Sequence, residues 1–233
     1  MKGLFITFEG TEGCGKSTQI TLLAERLRAL GRTVQVLREP GGTPIGEEIR
    51  HTLKHSQVNE AMTPEAELLL MNASRAQLVR EIIRPALSVG EIVLCDRFYD
   101  STTAYQGYGR RLDLKMVHAV IDVAVGETRP DLTILLTVPI EVSEARRLAR
   151  REAMLLNVPP RSKKIKGRAT LTFSEAMRDR MEDADRSFFE RVGKGYDAAA
   201  AAEPKRVRSV DGTAPIETVA GEVWKLVEPL VPR

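Results

Sequence analysis

The chain has 233 residues, 42% hydrophobic and 29% charged, with a formal net charge of +3. That is enough for one α/β domain with a sizeable core, and the charge excess is too small to indicate a nucleic-acid binder by itself. No apolar run approaches a membrane span, and a strand is expected from residue 3, which leaves no room for a signal peptide; the expected setting is cytoplasmic.

In chain order, short apolar, mostly β-branched runs predict strands at 3–8, 33–37, 91–95, 132–138 and 206–210. Helical spacing predicts helices near 16–30, 43–55, 64–88, 113–125, 141–153, 177–200 and 215–228. The first run, Leu4 to Phe8, leads into Gly10-Thr11-Glu12-Gly13-Cys14-Gly15-Lys16-Ser17, and Ile20, Leu22, Leu23, Leu27 and Leu30 follow at helical spacing. Gly-x-x-x-x-Gly-Lys-Ser is a phosphate-binding loop. Its backbone N–H groups curl around a phosphate, Lys16 adds charge for the outer phosphates, and Ser17 offers a hydroxyl to Mg²⁺. Strand, loop and helix in that order set the phosphates on a helix N-terminus.

Two later segments lie at strand ends. Asp96-Arg97 closes the third run, where a carboxylate can hold Mg²⁺ or its water and an arginine can grip phosphate at two points. Between Arg146 and Arg168 stand Arg146, Arg147, Arg150, Arg151, Arg161, Lys163, Lys164, Lys166 and Arg168, against the single acid Glu152. Pro159-Pro160 interrupts this run. Cys14 and Cys95 form neither a disulfide framework nor a zinc pattern and are expected to be reduced thiols. His51, His55 and His118 have no companions at ligand spacing. Alternating strands and helices predict a three-layer P-loop fold, a five-stranded parallel sheet in order 2-3-1-4-5, in one domain spanning 1–233.

Phe8-Glu9-Gly10-Thr11-Glu12-Gly13, Arg38-Glu39-Pro40-Gly41-Gly42-Thr43-Pro44, Arg75-Ala76-Gln77, Asp96-Arg97 with Ser101 and Ala104-Tyr105-Gln106-Gly107, and Asp179-Arg180-Met181-Glu182 together resemble bacterial thymidylate kinases. The resemblance runs in order along nearly the whole chain. It implies ATP-dependent phosphorylation of dTMP to dTDP, with Mg²⁺, on a homodimer. It also implies roles. Gly10, Gly13, Cys14 and Gly15 of the loop, with Lys16, Ser17 and Thr18, would hold the ATP phosphates and magnesium. Asp96 would organise the metal and its waters. Glu12 would accept the 3′-hydroxyl of dTMP, and Arg38 and Arg97 would bind its phosphate. Arg75 would reach the thymine O4 edge. Thr102 and Gln106 would line the base and sugar pocket, and Tyr105 would pack where a 2′-hydroxyl would collide. Arg150 and Asp211 would lie beside adenine.

Two departures from the family pattern stand out. Met71 occupies the position, four residues before Arg75, where the family usually carries an aromatic that stacks on thymine. Residues 152–177 form a basic insertion in place of a short lid, and Glu12-Gly13 resembles the subtype whose catalytic arginine comes from that lid; Arg151, Arg161 and Arg168 are the candidates. Three other readings remain open at this point: a kinase for another deoxynucleotide, a regulatory P-loop ATPase, and a nucleic-acid-binding arm at 146–168. The arm lacks the aromatics that stacking on bases requires.

Overall fold

The computed structural model describes residues 3–56, 58–156 and 185–232. Five parallel strands, β1 (Leu4–Glu9), β2 (Val34–Arg38), β3 (Ile92–Asp96), β4 (Leu132–Thr137) and β5 (Val207–Asp211), form one sheet in the order β2-β3-β1-β4-β5. The order and the three-layer class are those the sequence predicts. β1 is the central strand: Ile6 pairs in register with Leu94 on one side and Leu132 on the other.

Helices cover both faces. They are α1 (Lys16–Ala29), α2 (Pro44–Lys54), α3 (Pro64–Leu78), α4 (Arg84–Ser88), α5 (Tyr99–Thr102), α6 (Leu114–Val125), α7 (Ile140–Leu156), α8 (Arg186–Ala202) and α9 (Ile216–Val227). Thr43 and Thr63 cap α2 and α3 by accepting from Gly46 N and Ala66 N, with Pro44 and Pro64 in the first turn. The helix expected over 64–88 is continuous but passes through a π-helical turn at Val79–Ile83. The helix expected at 177–200 is placed as Arg186–Ala202, and its expected start lies outside the described residues.

Every β1 residue is buried, and alternation sorts its side chains between two layers. Leu4, Ile6 and Phe8 join the core under α1 and α9, while Phe5 packs beneath α3, α4 and α6. The Phe5 face turns polar toward the strand's C-terminal end. Thr7 bonds Thr133 at 2.7 Å, and Glu9 is buried at the rim of the site. Full burial does not extend to the sheet edges. β2 and β5 expose part of their side chains because each has a neighbour on one side only.

Residues 99–109, between the strand expected at 91–95 and the helix expected at 113–125, form α5 and a π-helical extension, Thr103–Gly109. The reason is tertiary. α8 lies directly against this segment, and at Gly195 a Cβ would come 2.8 Å from the Ala104 Cα. Phe188, Phe189, Val192 and Tyr196 of α8 complete a third core cluster with Tyr105 and Leu135.

Candidate active site

The loop from Gly10 to Gly15 leaves β1 in a conformation open to glycine. Gly10 has φ +131°, and a Cβ there would stand 2.3 Å from the Leu136 carbonyl oxygen. The first turn of α1 carries no acidic side chain, so nothing competes with a bound anion for its N-terminus. Lys16 is buried and its Nζ donates to the Gly10 and Thr11 carbonyls at 3.1 and 3.0 Å. These bonds hold its charge at the centre of the loop. Cys14 is buried beside it, Sγ 3.6 Å from Nζ, and Cys95 is buried in β3; both are free thiols.

Ser17 Oγ donates to Asp96 Oδ2 at 3.1 Å, joining the start of α1 to the end of β3. A hydroxyl and a carboxylate meeting at the mouth of a phosphate loop are hard oxygen ligands of the kind Mg²⁺ takes while keeping most of its waters.

Arg97, next in the chain, has left-handed backbone, φ 68°. Its NH1 donates to the Gly10 carbonyl (3.1 Å), Ser101 Oγ (3.0 Å) and Tyr196 OH (3.0 Å). Its NH2 donates to Glu12 Oε1 (2.7 Å) and Tyr105 OH (3.2 Å). Burial alone would raise the Glu12 pKa, but the charges of Arg97, Lys16 and Lys54 outweigh it and hold the carboxyl well below the usual range. Burial likewise opposes the charge on Arg97, and Tyr105, Glu12 and Tyr196 outweigh it, so the guanidinium stays protonated.

Beyond Arg97 opens a cleft whose lining includes Glu12, Met71, Arg75, Thr102, Tyr105 and Gln106, all expected from the sequence. Met71 belongs to this wall. Tyr105 is fixed: its ring lies 5.0 Å from the Arg97 guanidinium and meets Phe188 edge-on at 5.9 Å. Gln106 Nε2 donates to Glu67 Oε1 at 2.7 Å, and Arg110 pairs with the same carboxylate at 3.1 Å.

Arg75 lines the cleft but is tied down behind its surface. It is 2% exposed and forms an ion pair at 2.6 Å with Glu39, itself 3% exposed; it also donates to Asn72 Oδ1 and the Phe98 carbonyl. Burial raises the Glu39 pKa, against the pull of Arg75. Arg38 does not line the cleft. Its half-exposed side chain pairs with Glu47 at 3.0 Å across the Gly41-Gly42 turn. Glu39 and Pro40, part of the Arg38–Pro44 motif but given no role by the sequence, also line the cleft, as do Lys54 and Phe98, which sequence reasoning did not select.

A second cleft lies on the other side of the loop, lined by Gly13, Cys14, Gly15, Thr18, Gln19 and Arg146 with Gly212, Ala214, Ile216 and Val219. Arg146 bridges it, donating to the Gly13 and Gly212 carbonyls at 3.3 and 3.0 Å. Asp211 turns its carboxylate onto Thr213 N at 2.8 Å, closing the turn after β5. The Arg150 side chain lies outside the described residues, as do Arg161, Arg168 and the insertion from 157 onward. Arg146 was missed because one arginine in a run of basic residues carries no distinguishing local signal.

The arrangement is a phosphate loop between two clefts, with Arg97 at the junction. A family model for thymidylate kinases matches residues 8–223. This chain belongs to the thymidylate kinase family. The thymidylate kinase of Alcanivorax borkumensis is 46% identical over 98% of this chain and 97% of its own length. That of Geobacter sulfurreducens is 44% identical over 99% of each. The crystal structure of a thymidylate kinase from Ehrlichia chaffeensis superposes with a TM-score of 0.71 at 30% identity, covering 98% of this chain and 99% of that one. Against the family pattern, the two departures seen in the sequence fall differently. Met71 is in the wall of the cleft beyond Arg97, while most of the insertion lies outside the described residues.

Proposed function

We infer that the protein transfers the γ-phosphoryl group of ATP to dTMP, giving ADP and dTDP, with the acceptor in the cleft beyond Arg97 and the donor base in the cleft beside Arg146. The observation that carries this reading is the position of Arg97. One side chain bonds the phosphate loop at Gly10 and reaches Glu12 and Tyr105 of the acceptor cleft, so a phosphate it holds stands next to the donor phosphates. Phosphoryl transfer needs in-line placement and positive charge rather than covalent help. An oxygen of the acceptor phosphate, ionised at neutral pH, attacks the γ-phosphorus as the bond to the β-phosphate oxygen breaks. No general base is required.

Within this reading, Lys16 and the loop amides hold the β- and γ-phosphates, and Arg97 holds the acceptor phosphate. Glu12 exchanges its bond to Arg97 for the 3′-hydroxyl when the acceptor enters. Thr102 and Gln106 line the base and sugar. Tyr105 packs against the deoxyribose where a 2′-hydroxyl would collide. Ser17 and Asp96 hold Mg²⁺, which supplies charge neutralisation on the transferring phosphate. Arg38 reaches the acceptor phosphate by leaving Glu47, and Thr18, Asp211 and Arg150 serve the donor side. Arg75 acts on the thymine edge from its buried pair with Glu39.

Family membership also supports a homodimer. Leu69 of α3 and Val123 of α6 are 58% and 78% exposed, and these helices pack on each other. A second copy covering them would remove that apolar surface from water. No helix among the described residues is long and apolar enough to cross a membrane, which fits the cytoplasmic setting proposed for this enzyme.

Coupled ADP release with Mg-ATP, measured with dTMP, dUMP, dCMP or no acceptor, tests the reading. Turnover is expected to depend on dTMP. Equal ADP release without any acceptor would instead identify a regulatory ATPase.

A further inference from the structure

The NH1 edge of Arg97 is held by a polar centre assembled from three distant parts of the chain. Ser101 Oγ and Tyr196 OH, which both accept from NH1, lie 2.9 Å apart. Each also bonds Glu9 Oε2, at 2.5 Å from Ser101 and 3.1 Å from Tyr196. Glu9 Oε1 meanwhile accepts from Phe98 N and Ser101 N at 2.7 and 3.3 Å. The carboxylate takes the hydroxyl hydrogens, so the hydroxyl lone pairs are turned toward the guanidinium. Glu9, Ser101 and Tyr196 are all buried.

The Arg97 Nε has no hydrogen-bond partner among the described residues, and NH2 faces Glu12 and Tyr105 at the cleft wall. NH2 already donates to Glu12 and Tyr105, so with NH1 anchored the Nε–NH2 edge, the geometry of a two-point grip on phosphate, is the one that opens to a ligand once Glu12 turns to the acceptor's 3′-hydroxyl. The left-handed backbone at Arg97 favours no such pose by itself; the surroundings impose it.

We propose that Tyr196 is a positioning residue for phosphoryl transfer: with Ser101 and Glu9 it locks the NH1 edge of Arg97, so that the Nε–NH2 edge is presented to the acceptor phosphate. The proposal rests on the reading that Arg97 binds that phosphate. Tyr196 sits on α8, 99 residues along the chain from Arg97. Its ring meets Tyr105 edge-on at 6.4 Å, a packing role that phenylalanine would preserve. The hydroxyl is therefore separable from the core.

Tyr196→Phe is the test. Loss of one hydrogen bond to a charged group is expected to lower kcat/KM for dTMP roughly ten-fold, with KM for ATP changed less than about two-fold. Ser101→Ala, which removes the neighbouring hydroxyl, should give the same split. In an Arg97→Lys background, which lacks the planar fork, Tyr196→Phe should change kcat/KM less than about two-fold. Unchanged kinetics in both hydroxyl variants, or the same loss with and without Arg97, overturns the positioning role. If Arg97→Lys itself leaves dTMP turnover intact, the reading of Arg97 beneath the proposal falls, and the proposal with it.

Discussion

The two clefts flanking the phosphate loop are built by different means. On the side proposed for the acceptor, charged side chains are paired before any ligand arrives, with Arg75 and Glu39 fully buried, Arg110 joined to the buried Glu67, and the partly buried Arg97 joined to Glu12 and its hydroxyls. On the side proposed for the donor the lining is mostly loop backbone and a helix N-terminus, with Arg146 as a strap between two carbonyls. A triphosphate can be held by backbone amides and charge, which demand little of side-chain shape. Discrimination among nucleoside monophosphates needs polar groups fixed at defined points, and burial with pairing is what fixes them.

This contrast can be broken at several points. The largest effect is expected on stability. Arg75→Ala leaves Glu39 buried without its counter-charge and should destabilise the fold by about 3–5 kcal/mol, read by denaturant unfolding. A loss below about 1 kcal/mol would show that the acceptor wall is not held by this pair.

The pH dependence of folding tests the same wall. Burial, with the Asp100 carboxylate, pushes the Glu9 pKa up to about 7 from 4.5, against the pull of Arg97 and the bonds from Ser101 and Phe98. The folded state therefore holds an extra proton between those values. Stability from this site is fully present below about pH 4.5 and is lost as pH rises through 7, a change of roughly 3 kcal/mol. Glu9→Gln should flatten the dependence of Tm between about pH 4.5 and 7. An unaltered profile would locate the titration elsewhere.

On the donor side, Lys16→Ala should lower turnover by at least about 10²-fold, or about 2.7 kcal/mol, because its charge acts on the β- and γ-phosphates in the transition state. Fold stability should fall far less than in Arg75→Ala. Near-normal ADP release would remove the donor site from the loop.

The smallest effect sharpens the acceptor cleft itself. Met71→Phe replaces a sulfur contact of roughly 0.3–1.5 kcal/mol with a stacked ring of roughly 1–3 kcal/mol. Calorimetric titration should show dTMP binding tightened by about 1 kcal/mol, or several-fold. Unchanged affinity would mean that the base does not lie against residue 71.

The chain by itself determined the architecture and the donor loop. Apolar runs at strand length, separated by helical periodicity, were sufficient for a five-stranded parallel sheet, and the spacing of Gly10, Gly13, Gly15, Lys16 and Ser17 marked out the loop proposed to hold phosphate. Both signals are local, because backbone conformation and burial repeat over a few residues. The tertiary structure decided what depends on approach between distant segments. It made 99–109 helical by packing α8 against it, placed Arg75 in a buried pair instead of leaving its guanidinium open, and brought Arg146 across to Gly13 and Gly212. It also gathered Glu9, Ser101 and Tyr196 around Arg97. Hydrogen bonds spanning 92 to 187 residues leave no periodic trace in a sequence, because their geometry exists only once the sheet has set the distance between the segments they join.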